Sequence, residues 1–147
     1  MSHALTVERV VDATAEVVFD AFTDPDAQKE LYADAPDWIV ESECDLRVGG
    51  RWRISFGPPG KEPAVELNVF EKIERPHRLL YRSTMTLPDG SSFDTTIEAS
   101  FEPEGDRTRV RIVQSRFPTA ELRDEFRDGW TSIVAQLERV VRARSSG

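Results

Sequence analysis

The chain is poor in the residues that build covalent and metal chemistry. One cysteine, Cys44, stands among 147 residues, so no intrachain disulfide can form. The two histidines, His3 near the start and His77 in the turn-like "ERPH", are isolated, and two lone imidazoles make no metal site. Neither an HExxH pattern nor the Gly-x-Ser-x-Gly elbow of serine hydrolases occurs. No apolar run approaches the ~20 residues of a membrane-spanning helix. Basic clusters are missing too: the formal net charge is -8, which disfavours nucleic acid and anionic membranes as partners. The expectation is therefore no cofactor, no metal, no nucleic acid and no membrane insertion. The opening residues also lack a basic segment followed by an apolar one, so a cytoplasmic location is expected.

What is present suits a soluble globular unit. Hydrophobic residues make up 39% and charged residues 31%, and the length predicts one domain over 1–147. A chain of this size buries roughly 70% of its unfolded surface, enough for a core. "ALTVERVV" at 4–11 reads as a strand with Leu5, Val7 and Val11 on one face and Arg9 as the misfit. The period then changes. Thr14 caps a short helix ending near Thr23, and Asp24 caps a second with Pro25 in its first turn.

Strand patterns follow from Trp38 onward. "WIVESECDL" sets Trp38, Val40, Ser42, Cys44 and Leu46 against Ile39, Glu41, Glu43 and Asp45. "RWRISF" places Trp52, Ile54 and Phe56 together, and "AVELNVFEKI" places Val65, Leu67, Val69, Glu71 and Ile73 together. "RLLYRSTMTL", "FDTTIEASFE" and "TRVRIVQSRF" complete the set, with turns at "PDGSS" and "PEGDR". After Pro118 the spacing becomes helical: Leu122, Phe126, Trp130, Ile133, Leu137 and Val141 recur every three or four residues over about 119–143. The final "RARSSG" is polar and expected to fray. Hairpin-linked strands predict an antiparallel sheet, and the long helix is the one large apolar element left to cover it.

The glycine pair in "DLRVGGRWRI" is a test of function. A phosphate loop needs its glycines to lead into a helix. Here Gly49 and Gly50 lead into a strand pattern, which predicts a tight hairpin with positive φ.

Four segments in order, "ATAEVVFDAFTDP", "DLRVGGRW", "FEKIERPHRLLY" and "GWTSIVAQLERV", give the chain a recognisable outline. It resembles the helix-grip (SRPBCC) superfamily, which includes START lipid-transfer domains, the birch-pollen allergen and polyketide cyclases. Within it the chain is most similar to the branch named for the activator of the heat shock protein 90 ATPase, in its short bacterial form. The resemblance implies an α+β fold: a seven-stranded antiparallel sheet gripping a long C-terminal helix around a cavity, with two short helices after the first strand. One departure is visible. The family often carries a Trp-rich stretch after the second short helix, where this chain has "LYADAPDW", with Tyr32 and Trp38.

Candidate chemistry is sparse. Glu43 and Asp45 flank Cys44 and raise its pKa, so it reads as a small wall residue. Glu41, Glu43 and Asp45 read as a solvated outer face. Glu71 points inward if its strand has no bulge, where burial would suit it to acid–base work; a bulge would turn it out. Arg9 is a structural partner for it in the first case. Apolar and aromatic positions expected to wall a cavity are Trp38, Val40, Phe56, Leu67, Met85, Phe93, Phe126 and Trp130, with polar groups from Ser42, Tyr81, Thr95 and Gln114. Tyr81 and Gln114 are the candidates to orient a ligand.

The leading expectation is a non-catalytic protein that binds a hydrophobic small molecule, lipid-like or polyketide-like. The alternatives are a cyclase-type enzyme using an inward carboxylate and, from the branch name, a chaperone ATPase co-regulator that binds a protein. The partner set therefore also leaves room for a homodimer.

Overall fold

The computed structural model describes residues 3–145. Its elements run β1 (His3–Val11), α1 (Ala15–Thr23), α2 (Pro25–Leu31), β2 (Ile39–Cys44), β3 (Arg51–Gly57), β4 (Ala64–Glu74), β5 (Arg78–Thr86), β6 (Ser92–Glu104), β7 (Arg107–Phe117) and α3 (Ala120–Ser145). The helix thus continues into the segment expected to fray, whose last two residues lie outside the described ones.

Local signals set the helix starts. The Thr14 side chain accepts from the Val17 N–H at 3.4 Å, and Asp24 accepts from Asp26 N–H at 3.0 Å ahead of Pro25. Thr119 does the same for α3, accepting from Leu122 N–H at 3.2 Å. Each cap satisfies one amide that the first helical turn leaves unpaired.

The strands form a single antiparallel sheet in the order β1-β7-β6-β5-β4-β3-β2. Strands β2 to β7 follow one another as a meander, and β1 closes the far side by pairing with β7. Inward side chains on β5 are Leu79, Tyr81, Ser83 and Met85, and on β6 Thr95, Ile97, Ala99 and Phe101, as their alternation predicts. Helix α3 packs on β1, β7, α1 and α2. Phe19, Phe22, Phe101, Leu137 and Val141 are buried between these layers, with Phe22 and Phe101 5.6 Å apart. Because α3 leans toward that side, the inner face of β3–β5 is left partly uncovered. This is the helix-grip fold.

Two expectations need correction. The glycine turn does join antiparallel β2 and β3 with a positive φ, but it is longer than a tight hairpin. Six residues, 45–50, separate β2 from β3, and only Gly49 has positive φ, at 81°. Gly50 is required for a different reason: a Cβ there would lie 2.2 Å from the Asp45 carbonyl oxygen. The loop also pairs with β4, since Gly49 N–H donates to Phe70 O at 2.8 Å. A strand follows, so the backbone amides do not converge as a phosphate loop needs.

The second correction concerns the face of β4. Its inward residues are Ala64, Glu66, Asn68 and Phe70, while Val65, Leu67 and Val69 face outward. The register shifts between Phe70 and Lys72, leaving Glu71 as the extra residue of a bulge. Past the bulge the parity changes and Ile73 returns to the core. Reading back from Ile73 through an unbroken alternation inverts the strand. Glu71 therefore points out and pairs with Arg82 at 3.2 Å. Arg9 does not meet it; it reaches Glu138 of α3 at 3.2 Å.

Candidate ligand cavity

The uncovered part of the sheet forms a cavity of about 550 Å³. Its walls come from three sources. The end of α2 and the segment after it supply Leu31, Tyr32, Asp34 and Trp38; the sheet supplies Phe56, Glu66, Met85 and Gln114; α3 supplies Glu125, Phe126, Asp128, Gly129, Trp130, Ser132 and Ile133. Aromatic rings line one side in contact with one another. Tyr32 lies 5.5 Å from Phe56 and 6.5 Å from Trp130, and Trp38 stacks on Phe56 at 6.4 Å. Gly129 is exposed on the mouth, and a Cβ added there would touch nothing within 4 Å. A helix interior ordinarily disfavours glycine by about 1 kcal/mol relative to alanine. Its missing side chain keeps the mouth clear.

Glu66, on the sheet side of the cavity, belongs to a group of buried polar side chains in an apolar setting. Register explains the placement: Glu66 faces Ile54 on β3 and Met85 on β5, and Asn68 faces Trp52 and Ser83. Glu66 is 4% exposed and Asn68 fully buried. Glu66 Oε1, both amide atoms of Asn68, Ser83 Oγ and the hydroxyls of Tyr32 and Tyr81 are buried without a hydrogen-bond partner. Buried polar groups are ordinarily paired, and each unpaired one costs about 1–3 kcal/mol. Burial pushes the Glu66 carboxyl up to about 7 from its ordinary 4.5, while nearby Asn68 and Ser83 restrain the rise. Burial, then the Glu66 charge, raises both Tyr32 and Tyr81 well above the usual phenol value, so both remain protonated.

Two further buried networks look different. Gln114 donates to Thr95 Oγ1 at 2.8 Å and accepts from Trp130 Nε1–H at 2.7 Å, tying α3 to β6 and β7. Gln28 donates to the Phe22 carbonyl at 2.9 Å and accepts from the Ser42 hydroxyl, which in turn accepts from Trp52 Nε1–H at 3.2 Å. Both amides are engaged at each end, which suits a scaffold rather than a receptor.

The expected wall residues divide accordingly. Trp38, Phe56, Met85, Gln114, Phe126 and Trp130 line the cavity. Leu67 does not; it is on the outer face of β4, 36% exposed. Val40 is buried beside a second, shallower depression bounded by Lys29, Ser42 and Arg53. Phe93 packs on Phe117 and Phe126, and Tyr81 lies in the core against Trp52 and Phe70. Thr95 and Ser42 are consumed by the two saturated networks. Gln114 reaches the cavity, but its amide is already spent on Trp130 and Thr95. Sequence reasoning missed Glu66 and Asn68. The available signal was cross-strand: placing Trp52 and Ile54 inward puts their β4 neighbours inward too.

Cys44 is half-buried, and burial followed by the Asp45 charge pushes its thiol up to about 11, away from nucleophilic character. Glu41 and Glu43 face solvent, and Asp45 pairs with Arg47 at 2.6 Å. The His77 ring lies 3.4 Å from the Phe101 carbonyl, and His3 begins β1. Among the described residues, no cluster of His, Cys, Asp and Glu could hold a metal ion, and no helix is long and apolar enough to cross a membrane.

Comparison with known proteins places this architecture. The protein CV1439 from Chromobacterium violaceum superposes with a TM-score of 0.81 at 23% identity, over 94% of this chain and 96% of that one. An AHSA1-like protein from Aeromonas hydrophila gives 0.77 at 25% identity, over 97% and 94%. CalU16 from Micromonospora echinospora gives 0.68 at 22% identity, over 95% and 76%. No curated protein matches the chain. The model of one family matches residues 12–142, from the end of β1 to near the end of α3. On that match, the chain belongs to the family described as activator of Hsp90 ATPase homolog 1-like proteins.

Proposed function

We propose that the chain binds a small, largely apolar molecule in the cavity between sheet and α3. One observation carries this reading: the wall of this largely aromatic cavity includes Glu66 and Tyr32, whose Oε1 and hydroxyl are buried and unpartnered. An apolar body would pack on Trp38, Phe56, Phe126 and Trp130, and a polar end would meet Glu66 and Tyr32. The neutral dye N-phenyl-1-naphthylamine tests it. Its fluorescence should rise saturably with the wild type and much less with Gly129→Leu, which fills the mouth without crowding the fold. A dye response that is absent, or equal in both proteins, counts against cavity binding.

The placement of Glu66 favours a second reading. It is a buried carboxyl on the cavity wall, and burial pushes it up to about 7, which suits general acid–base work at neutral pH. This moves the enzymatic alternative from Glu71 to Glu66. Benzoylacetone in deuterated buffer should then exchange its α-hydrogens faster with the wild type than with Glu66→Gln; equal rates dispose of it. A protein-binding role, which the family name suggests, would draw on the exposed Ile39, Leu46, Val48 and Leu67. Co-purification with a heat-shock ATPase is its test, and failure to associate removes it.

A further inference from the structure

Every strongly ionisable side chain on the cavity wall is an acid. Asp34 and Asp128 at the mouth, Glu125 beside them and Glu66 inside contribute four carboxyl groups, and among the described residues no Lys, Arg or His lines the space. Arg123 and Arg127, the neighbouring arginines of α3, both turn to Asp124, at 3.0 and 3.2 Å. Glu66 is buried with Oε1 unpartnered, so its carboxylate form has no counter-ion of the protein's own. The remaining wall is aromatic: Tyr32, Trp38, Phe56 and Trp130 present ring faces or edges there. Aromatic faces attract cations, and more strongly where water is excluded.

We propose that the cavity is a receptor for a hydrophobic amine, an apolar body whose protonated nitrogen pairs with Glu66. The proposal rests on the cavity-binding reading above and names its ligand class. Three features converge on a cation. The acidic mouth concentrates positive charge and repels anions. The aromatic wall holds the alkyl or aryl body and stabilises the ammonium. The Glu66 carboxylate, which has no cationic partner among the described residues, gains a charge-assisted hydrogen bond. A fatty acid or other anionic lipid meets the opposite situation: its carboxylate would enter a space walled by carboxylates. A neutral apolar guest would leave Glu66 unpaired and buried.

The experiment uses three probes of one shape: 2-naphthylethylamine, 2-naphthylethanol and 2-naphthylacetate. Each is titrated calorimetrically at pH 8 and low salt into the wild type and Glu66→Gln. The amine should bind the wild type on the order of tenfold more tightly than the alcohol, and the acetate more weakly than either. In Glu66→Gln the amine preference should disappear while the alcohol binds as before. Alcohol or acetate binding as tightly as the amine overturns the proposal and leaves cavity binding intact. An amine preference that survives in Glu66→Gln overturns the role of Glu66. If none of the three binds, and the neutral dye also fails, both readings fall together. Should Glu66→Gln not fold, the order of the three probes on the wild type decides alone.

Discussion

Two buried polar regions share the inner face of one sheet and differ in a single respect. Around Gln114, every strong donor and acceptor has a partner: Trp130 and Thr95 take up both ends of the amide. Around Glu66, Oε1, the Asn68 amide, Ser83 Oγ and two tyrosine hydroxyls have none. Both regions are desolvated, so both incur the cost of leaving water. Only the first recovers it within the fold. A saturated network locks α3 onto the sheet; an unsaturated one destabilises the empty protein and rewards whatever completes it. The same chemistry therefore fastens the fold in one place and is left open in the other.

Several substitutions can break or sharpen that contrast. The largest effect is expected from Gln114→Leu, which strands the Trp130 Nε1–H and the Thr95 hydroxyl. Urea denaturation at pH 5 should show a loss of about 2–4 kcal/mol, whereas Asn68→Leu, at a pH where Glu66 holds its proton and its carboxylate needs no donor from Asn68, should be neutral or stabilising. Equal losses at the two sites would erase the distinction.

Next comes pH. The folded value for Glu66, about 7, lies above its ordinary 4.5, so the native state retains a proton that the unfolded chain releases. The contribution of Glu66 is thus most favourable below pH 4.5, declines as pH rises through 7, and is level above that. Between pH 5 and 8 the wild type should lose on the order of 2–3 kcal/mol relative to Glu66→Gln, measured as the difference between their stability profiles. Parallel profiles would mean that Glu66 is solvated.

A smaller gain is expected at the mouth. Gly129→Ala should raise stability by up to about 1 kcal/mol, because the helix favours alanine and the added methyl meets open space. Any loss of stability there would show that the position is packed. The last comparison is Tyr32→Phe and Tyr81→Phe. Each removes a buried hydroxyl without a partner, so stability in urea should rise by about 1 kcal/mol, while Thr95→Val should cost about 1 kcal/mol by releasing Gln114.

How much of this was legible from residues alone depended on the strand. On β6, Thr95, Ile97, Ala99 and Phe101 alternate with polar neighbours, and the inward face reads directly. The six apolar positions of α3 recur at helical spacing, and the helix follows. On β4 the rule misleads, because the outward face holds Val65, Leu67 and Val69 while the inward face holds Glu66 and Asn68. Period-two alternation identifies two faces without saying which is buried, and the bulge at Glu71 exchanges them midway. The inversion is itself informative. Strands place polar residues inward against their own folding preference where a site needs them.

By itself the sequence determined the elements, their order, the antiparallel hairpins and the long closing helix, because these follow from local spacing, caps and turns. Tertiary structure alone decided which face of β4 meets α3, that Gln114 is satisfied and that Glu66 is not. Those outcomes depend on cross-strand register and on where one helix leans, and neither is written in any single segment of the chain.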